Sequence, residues 1–266
     1  RLGYLPEGAP AVLNADDDSY VYAKDEARAR DLRVIPVGRS DECERGLRLT
    51  DARFDAKGQE LDIEWLGAKR TVRLDLIGGF QGLNAMTAAA LAIGTGEKPE
   101  EVFSALPALA GVKGRMEHVA TRASGAAIYV DYSHTPDGLA TALKALRLHT
   151  PGRLIVVFGA GGDRDPGKRP MMGHEACEHA DAVIVTDDNP RTEKPAEIRA
   201  EIMEAVPDGV EIGDRAEAIG TAVAELGEGD TLVVAGKGHE EGQIVGDKTL
   251  PFSDHEVLRK ALENKS

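Results

Sequence analysis

The second half of the chain alternates short apolar segments with helical segments, and this alternation limits the possible folds more than any other feature. Strands are predicted over residues 126–132, 153–159, 181–188, 209–213 and 230–236. Helices are predicted near residues 136–149, 168–179, 195–205, 215–226 and 254–262. Nearly continuous apolar strands that alternate with helices are typical of a mostly parallel sheet covered on both faces. We therefore predict an α/β fold.

The first half has a different pattern. Short alternating segments such as "RVIPVG", "GLRLTDARFD", "LDIEWLG" and "KRTVRLDLIG" predict a run of strands, several of them antiparallel. Two helices follow in "LNAMTAAALAIGTG" and "KPEEVFSALPALAG", each ending in glycine. The change of pattern predicts two domains, residues 1–111 and 112–266.

Composition excludes several classes of partner. The formal net charge is −14, which argues against a broad surface for nucleic acid or anionic membrane, because phosphates are held by clustered Lys and Arg. No run of eighteen apolar residues occurs. Cys43 and Cys177 have no metal-type spacing and are interpreted as reduced thiols. We expect a cytoplasmic protein that binds neither nucleic acid nor membrane.

Four loops follow the predicted strands and carry more charge than a plain turn needs. They read "SHTPDG", "AGGDRDPGKRP", "DNPRTEKP" and "KGHEEG". In open parallel sheets, ligands bind in the crevice beyond the carboxyl ends of the strands. The four loops therefore predict one ligand site at that edge.

The first of these loops is preceded by Asp131 and contains His134. A carboxylate at a strand end can accept both hydroxyls of a ribose, and a nearby histidine can pack against a base. Alternatively, the segment is only a helix start, with Thr135 as the cap and Pro136 in the first turn. Both interpretations stay open from the residues alone.

The other loops supply charges of both signs. Arg164, Lys168 and Arg169 form a local positive cluster suited to a carboxylate or phosphate, unless they are only solvated. Arg191 offers a planar fork for a carboxylate, although a surface salt bridge is the alternative. Glu240 could meet an ammonium group. Together these residues indicate a ligand that carries both charges.

The stretches "FQGLNAMTAAALA", "GRMEHV", "DYSHTPDGL", "GGDRDPGKRP", "TDDNPR" and "GKGHEEGQ" resemble the Mur ligases, ATP-dependent enzymes that add amino acids to the peptidoglycan precursor. Within that family, "DNPR" resembles the signature of members that select meso-diaminopimelate over lysine. The resemblance implies a C-terminal Rossmann-like domain that binds the amino acid. It also implies that the strand-rich remainder of a central ATPase domain precedes it.

The resemblance implies roles for ten residues. Asn84 would contact the adenine of ATP, Arg115 its phosphates, and Asp131 and His134 its ribose and base. The diaminopimelate-binding group would be Arg164, Asp188, Asn189 and Arg191, with Arg191 on the distal carboxylate. The carbonyl of Gly236 and the carboxylate of Glu240 would hold the distal ammonium. No catalytic residue and no metal ligand is assigned in this chain.

Two departures from the family pattern affect these expectations. Gln81 stands where the family usually has asparagine, and the chain has no G-x-x-x-x-G-K-[ST] loop. Because the chain also begins with Arg1 rather than methionine, we expect it to be the C-terminal portion of a longer enzyme. The ligands of Mg²⁺ would then lie outside it, and the chain alone would be inactive.

The intact enzyme is expected to add meso-diaminopimelate to UDP-N-acetylmuramoyl-L-alanyl-D-glutamate through an acyl phosphate. Its expected partners are these small molecules and ATP, and it is expected to be a monomer. One alternative is a related ligase for lysine or another amino acid, including a folylpolyglutamate synthase-like enzyme. The other is a non-catalytic binding module with the same fold.

Overall fold

A computed structural model describes residues 2–263 of the chain. The chain divides into two compact units, Arg1–Ala110 and Gly111–Ser266, and each is described by itself. Among the described residues, no helix is both long enough and apolar enough to cross a membrane.

Over residues 2–110, the first unit has a five-stranded sheet and three α-helices. Its strands are β1 (Pro10–Asn14), β2 (Arg33–Gly38), β3 (Leu47–Asp55), β4 (Gly58–Trp65) and β5 (Ala68–Leu74). Its helices are α1 (Tyr20–Arg28), α2 (Gly79–Gly94) and α3 (Pro99–Ala105), with short 3-10 helices at Leu2–Tyr4, Asp41–Arg45 and Leu106–Ala108. The strands lie in the order β1-β2-β3-β4-β5, parallel from β1 to β3 and antiparallel from β3 to β5.

The core of the first unit forms where α2 packs on this sheet. Leu47, Leu61, Leu74 and Met86 are fully buried there. The alanines of α2 let the helix approach the strands closely, since small side chains leave room for the backbone. This core accounts for the predicted strands and for both predicted helices of the first half.

Over residues 111–263, the second unit has a six-stranded sheet, five helices and a hairpin. Its sheet strands are β6 (Glu117–Thr121), β7 (Ala127–Asp131), β8 (Leu154–Phe158), β9 (Ala182–Val185), β10 (Val210–Glu211) and β11 (Thr231–Ala235). Its helices are α4 (Pro136–Arg147), α5 (Lys168–His179), α6 (Pro195–Met203), α7 (Arg215–Glu225) and α8 (Asp254–Glu263). Strands β12 (Gly242–Val245) and β13 (Lys248–Pro251) pair as a separate antiparallel hairpin.

The strand order β10-β9-β8-β11-β7-β6 determines where the helices lie. All neighbours in this sheet are parallel except β6, which runs antiparallel to β7 at one edge. The connections from β7 to β8, from β8 to β9 and from β9 to β10 all move towards the same edge of the sheet. The connection from β10 to β11 moves back in the opposite direction. Right-handed crossovers in opposite directions place their helices on opposite faces. Accordingly α4, α5 and α6 pack side by side, and α7 packs with α8.

Both faces of the second sheet are therefore covered, which confirms the predicted α/β fold. Every residue of β7, β8 and β11 is buried. Strand β11, the last of the parallel strands in the chain, lies between β8 and β7. The carboxyl ends of these three strands therefore border a crevice. Such a reversal of strand order is where open α/β sheets bind ligands.

Capping side chains determine where two of the helices begin and, with them, where the preceding loops end. Thr135 Oγ1 accepts a hydrogen bond from Gly138 N (3.2 Å), which caps α4 ahead of Pro136. Asp214 Oδ1 accepts from the amides of Ala216 (2.8 Å) and Glu217 (3.0 Å) at the start of α7. These caps satisfy amide groups that have no partner within the helix.

Candidate functional site

One pocket of about 370 Å³ lies beyond the carboxyl ends of β7, β8, β9 and β11. The four charged loops all contribute to it. Its lining residues are Tyr132, His134, Thr135, Gly161, Arg164, Asp165, Lys168, Asp188, Asn189, Arg191, Gly236 and Glu240. The structure therefore brings together seven of the ten residues singled out in the sequence: Arg164, Asp188, Asn189, Arg191, Gly236, Glu240 and His134.

The loops after β8 and β9 are hydrogen-bonded to each other. Gly162 N donates to Asn189 O (2.9 Å), and Arg191 Nη1 donates to Gly162 O (2.8 Å). A Cβ atom on Gly162 would lie 2.0 Å from Pro190 O, so only glycine permits this approach. The "GGDR" and "DNPR" motifs thus form one rigid wall of the pocket.

Arg191 has a left-handed backbone conformation, with φ of 52°. This conformation is uncommon for a residue other than glycine and costs about 1–3 kcal/mol. The hairpin holds it, because Arg191 N donates to Ile244 O (3.0 Å) and Gly246 N donates to Arg191 O (2.6 Å). Strain of this kind is concentrated at functional sites. The hairpin was not among the predicted elements, so its role as a support for Arg191 emerges only from the structure.

The guanidinium of Arg191 retains donors for a ligand. Nη1 donates to Gly162 O and, at 3.4 Å, to Asn189 O. Within residues 2–263, Nε and Nη2 make no hydrogen bond. A guanidinium with free donors beside a pocket is suited to a carboxylate or phosphate.

The two adjacent acids of the "TDDNPR" loop have different surroundings. Asp187 forms an ion pair with Arg199, and burial raises the pKa of the Asp187 carboxyl. Asp188 is 6% exposed and lines the pocket, with its Oδ1 3.6 Å from Lys237 Nζ. Asp187 therefore stabilises the loop, and Asp188 contributes charge to the pocket.

Gly236 lets the loop after β11 pass close to Asp188. Its φ is 115°, a conformation that residues with a side chain rarely adopt. A Cβ atom there would lie 2.7 Å from Asp188 Oδ2. The glycine therefore brings the backbone of this loop against the acidic floor of the pocket.

Asn189 and Glu240 meet across the pocket floor. Asn189 Nδ2 donates to Glu240 Oε2 (3.0 Å), while Asn189 Oδ1 accepts from Ile244 N (2.9 Å) and from Lys237 Nζ (2.8 Å). Lys237 was not singled out in the sequence. Its one available signal was its position directly after an apolar strand, where a lysine is ordinarily expected to be exposed.

Two of the three members of the predicted positive cluster line the pocket. Arg164 is exposed and lines the pocket, and Lys168 lines it with Nζ donating to His134 O (2.9 Å). Burial is the main cause that lowers the pKa of Lys168. The expectation for Arg169 was wrong. It is 1% exposed and pairs with Glu193 (2.8 Å) and Glu201 (3.0 Å), so it joins α5 to the α6 region and does not line the pocket.

Asp131 is occupied by contacts within its own region. Oδ2 accepts from Met116 N (2.6 Å), and Oδ1 accepts from Ser133 N (2.9 Å) and from the Ser133 hydroxyl. The residue is buried and does not line the pocket. These bonds fix the loop that carries His134, and a contact with a ribose stays a prediction.

Arg115 and His134 lie around one aromatic ring. The Arg115 guanidinium carbon is 4.5 Å from the centroid of the Tyr132 ring, and the His134 ring is 4.7 Å from it. His134 Nδ1 is 2.8 Å from Tyr132 O. Stacking on an aromatic face orients a guanidinium while leaving its donors available. Tyr132 is thus a second residue that the sequence did not single out, and only the folded loop reveals it.

Asn84 belongs to the first unit, where it is exposed on α2. Its Nδ2 donates to Gln81 Oε1 (3.3 Å), the residue that departs from the family pattern. Its contact with adenine stays a prediction. Among residues 2–263, no group of three or more His, Cys, Asp or Glu side chains could hold a metal ion.

Comparisons with known proteins show which family the chain belongs to. Residues 3–92 match the family model of the Mur ligase middle domain, and residues 114–238 match that of the Mur ligase glutamate ligase domain. The chain belongs to the Mur ligase family. Each matched segment falls in one of the two compact units, and the second unit contains the pocket.

Several curated relatives of this Mur ligase chain bear the same name. The UDP-N-acetylmuramoyl-L-alanyl-D-glutamate–2,6-diaminopimelate ligases of Bradyrhizobium diazoefficiens and Chelativorans sp. are each 53% identical over 98% of this chain. The ligase of that name from Caulobacter vibrioides is 50% identical over 97% of it. The chain covers 54%, 54% and 52% of these three proteins, so it spans about half the length of the curated relatives it matches.

Solved structures of Mur ligases and of a folylpolyglutamate synthase have a similar fold. A structure of a UDP-N-acetylmuramoyl-L-alanyl-D-glutamate–2,6-diaminopimelate ligase is 31% identical to this Mur ligase chain, with a TM-score of 0.73 over 97% of this chain and 53% of that one. A folylpolyglutamate synthase from Mycobacterium tuberculosis has a TM-score of 0.65 at 19% identity, covering 85% of this chain and 52% of the other. At that identity, the second likeness shows the fold alone.

Proposed function

We propose that the pocket of the second unit binds meso-diaminopimelate. In the whole protein this amino acid would be joined, with ATP, to UDP-N-acetylmuramoyl-L-alanyl-D-glutamate. The proposal is supported by relatives that bear this name and are about half identical to the chain. Its supporting observation within the molecule is the charge of the pocket.

Six charged side chains line the pocket, three of each sign. The cations are Arg164, Lys168 and Arg191, and the anions are Asp165, Asp188 and Glu240. This balance stands out in a chain with a net charge of −14. A nucleotide phosphate alone would favour an excess of cations. A zwitterionic amino-acid end requires a cation for its carboxylate and an anion for its ammonium, and the pocket has both.

The binding roles follow from this distribution of charge. Arg191 would hold the distal carboxylate with its free guanidinium donors, assisted by Arg164. Glu240 and the carbonyl of Gly236 would hold the distal ammonium, next to Asp188 and Asn189. The other end of the amino acid, with its second amine, is then left to react. L-Lysine lacks the distal carboxylate, so Arg191 is the residue that would discriminate between the two amino acids.

The ligation itself would be a transfer through an acyl phosphate. The D-glutamyl carboxylate takes the γ-phosphoryl group of ATP, the free amine of diaminopimelate attacks the acyl carbon, and phosphate leaves as the amide bond forms. The contribution of this chain would be to hold the amine in position, which supplies rate by proximity and orientation. We assign Asn84, Arg115, Asp131 and His134 to ATP and no described residue to Mg²⁺.

The same proposal gives each domain a role and includes the cellular location and oligomeric state of the protein. Residues 1–111 would be the later part of the ATP-binding middle domain, and residues 112–266 the amino-acid-binding domain. The protein would work in the cytoplasm as a monomer on small-molecule substrates. Because the chain spans about half the length of its relatives, binding rather than turnover is the suitable measurement on it.

Calorimetric titration of this chain with meso-diaminopimelate and with L-lysine tests the proposal. A charge-assisted hydrogen bond contributes about 1.5–3 kcal/mol, so meso-diaminopimelate is expected to bind at least about tenfold more tightly than lysine. Equal affinity for the two ligands, or tighter binding of lysine, would overturn the assignment to diaminopimelate. Binding of neither ligand at millimolar concentration would overturn the pocket as an amino-acid site.

A further inference from the structure

Lys237 is a fully buried cation beneath the pocket floor. Its side chain is 0% exposed, and Nζ lies 2.8 Å from both Asn189 Oδ1 and Gly242 O. It is also 3.5 Å from Glu240 Oε2 and 3.6 Å from Asp188 Oδ1. Burying an ammonium is costly unless charged and polar partners surround it. Four oxygen atoms surround this one, and three of them belong to side chains that line the pocket.

Lys237 fixes the orientation of the Asn189 amide. An ammonium group can only donate, so the atom that faces it must be Oδ1. Ile244 N also donates to Oδ1, at 2.9 Å. With Oδ1 directed at these two donors, Nδ2 faces Glu240 and donates to its Oε2 at 3.0 Å. Lys237 therefore sets the orientation of the Asn189 amide, and this amide in turn positions Glu240.

Glu240 is held at one oxygen and open at the other. Both of its contacts, from Asn189 Nδ2 and from Lys237 Nζ, go to Oε2. Within the described part of the chain, no hydrogen bond reaches Oε1. The side chain is 34% exposed and lines the pocket. A carboxylate fixed through one oxygen presents the other in a defined place.

Lys237 is a counter-ion shared by two carboxylates. Asp188 Oδ1 and Glu240 Oε2 both lie within 3.6 Å of its ammonium. Without Lys237, the repulsion between these carboxylates would no longer be offset at this point, and it would favour movement of Glu240, the more exposed of the two, towards solvent.

We propose that Lys237 is a positioning residue that, through Asn189, holds Glu240 in the orientation that receives the distal ammonium of the amino acid. This rests on the proposed function, because it deepens the assignment of the same pocket. It differs from a purely structural role in one measurable respect. Loss of Lys237 should weaken ligands that carry the distal ammonium and leave ligands without it unaffected.

The test compares two ligands on the unmodified chain and on Lys237→Met, which keeps the length of the side chain and removes the charge. The ligands are meso-diaminopimelate and pimelate, which retains both carboxylates but has no amine. In Lys237→Met, meso-diaminopimelate should bind at least about tenfold more weakly, while the affinity for pimelate should change less than about twofold. Lys260→Met, an exposed lysine on α8, is the matched control and should change neither affinity.

A second variant covers the case in which Lys237→Met does not fold, which circular dichroism will show. Asn189→Asp still accepts from Lys237 and Ile244 N but can no longer donate to Glu240, so the same selective loss is expected. An equal loss for both ligands, or no loss of selectivity, would overturn the positioning role. If the unmodified chain binds neither ligand, the proposed function fails instead. The two failures are therefore distinguishable.

Discussion

Asn189 Nδ2 donates to Glu240 Oε2 across 3.0 Å and so joins the loop after β9 to the loop after β11. The two residues are 51 positions apart in the chain. Strand β11 returns next to β8 in the sheet, which brings the two loops to the same edge. The acidic side of the pocket therefore depends on strand order as much as on the residues of either motif.

Arg191→Ala should reduce the affinity for meso-diaminopimelate and leave that for L-lysine unchanged. The reason is that the guanidinium would bind the carboxylate that lysine lacks, and such a contact is worth about 1.5–3 kcal/mol, or roughly 10- to 150-fold. Calorimetry with both ligands measures this. Arg259→Ala, at an exposed position on α8, is the control. An equal loss for both ligands would show that Arg191 acts on the fold of the loop and not on the carboxylate.

Gly236→Ala should weaken amino-acid binding by about tenfold or more, because a Cβ atom would collide with Asp188 Oδ2 and the backbone would be strained by about 1–3 kcal/mol. Gly125→Ala is the matched control. Gly125 also has positive φ, at 81°, but a Cβ atom added there would meet no atom within 4 Å. Isothermal titration of both variants with meso-diaminopimelate measures the two affinities. Equal effects of the two substitutions would contradict the collision.

Asp254→Asn should destabilise the second unit strongly. Asp254 and Arg215 form a fully buried ion pair at 2.8 Å, and Arg215 Nη2 also donates to Ala235 O (3.0 Å). Removing one partner of a buried pair leaves an uncompensated charge and costs about 3–5 kcal/mol. Urea dependence of hydrogen exchange in β7 and β11 reports the free energy of unfolding. Lys194→Ala, which removes an exposed pair with Glu197 in the same unit, should change it by less than about 1 kcal/mol.

Tyr129→Phe should remove part of the loss of stability at alkaline pH. Burial raises the pKa of Tyr129 from its ordinary value of 10.0 to about 12. Between these values the unfolded chain releases a proton that the folded chain retains, so the free energy of unfolding falls as pH rises through this window. The fall is about 2–3 kcal/mol. Unfolding curves at pH 8 to 12 should therefore show a smaller fall for the variant than for the unmodified chain, and identical slopes would contradict this.

Much of the architecture follows from the sequence because it depends on local patterns. The apolar strands β7, β8 and β11 and helices α4 to α8 were predicted from periodicity and from helix-start residues such as Pro136 and Pro195. Elements with weak patterns were missed. Helix α1 buries only Tyr20 and Ala27, so its apolar stripe is too sparse to recognise.

The candidate site was predictable as a set of loops, but not in its internal contacts. The position of the loops follows from the rule for carboxyl ends of parallel strands. Whether a given charge faces the pocket depends on tertiary contacts, as the neighbours Lys168 and Arg169 show. Lys168 lines the pocket, whereas Arg169 pairs with Glu193 and Glu201. Lys237 escaped notice because the sequence cannot show that four oxygen atoms surround it.

The most direct test of the account is a crystal structure of this chain with meso-diaminopimelate bound. The account predicts one carboxylate of the ligand within about 3 Å of the Arg191 guanidinium and the ammonium of the same end within about 3 Å of Glu240. It also predicts that the second amine points out of the pocket. A ligand bound elsewhere, or one whose ammonium lies against Arg191 and whose carboxylate avoids it, would contradict the central claim.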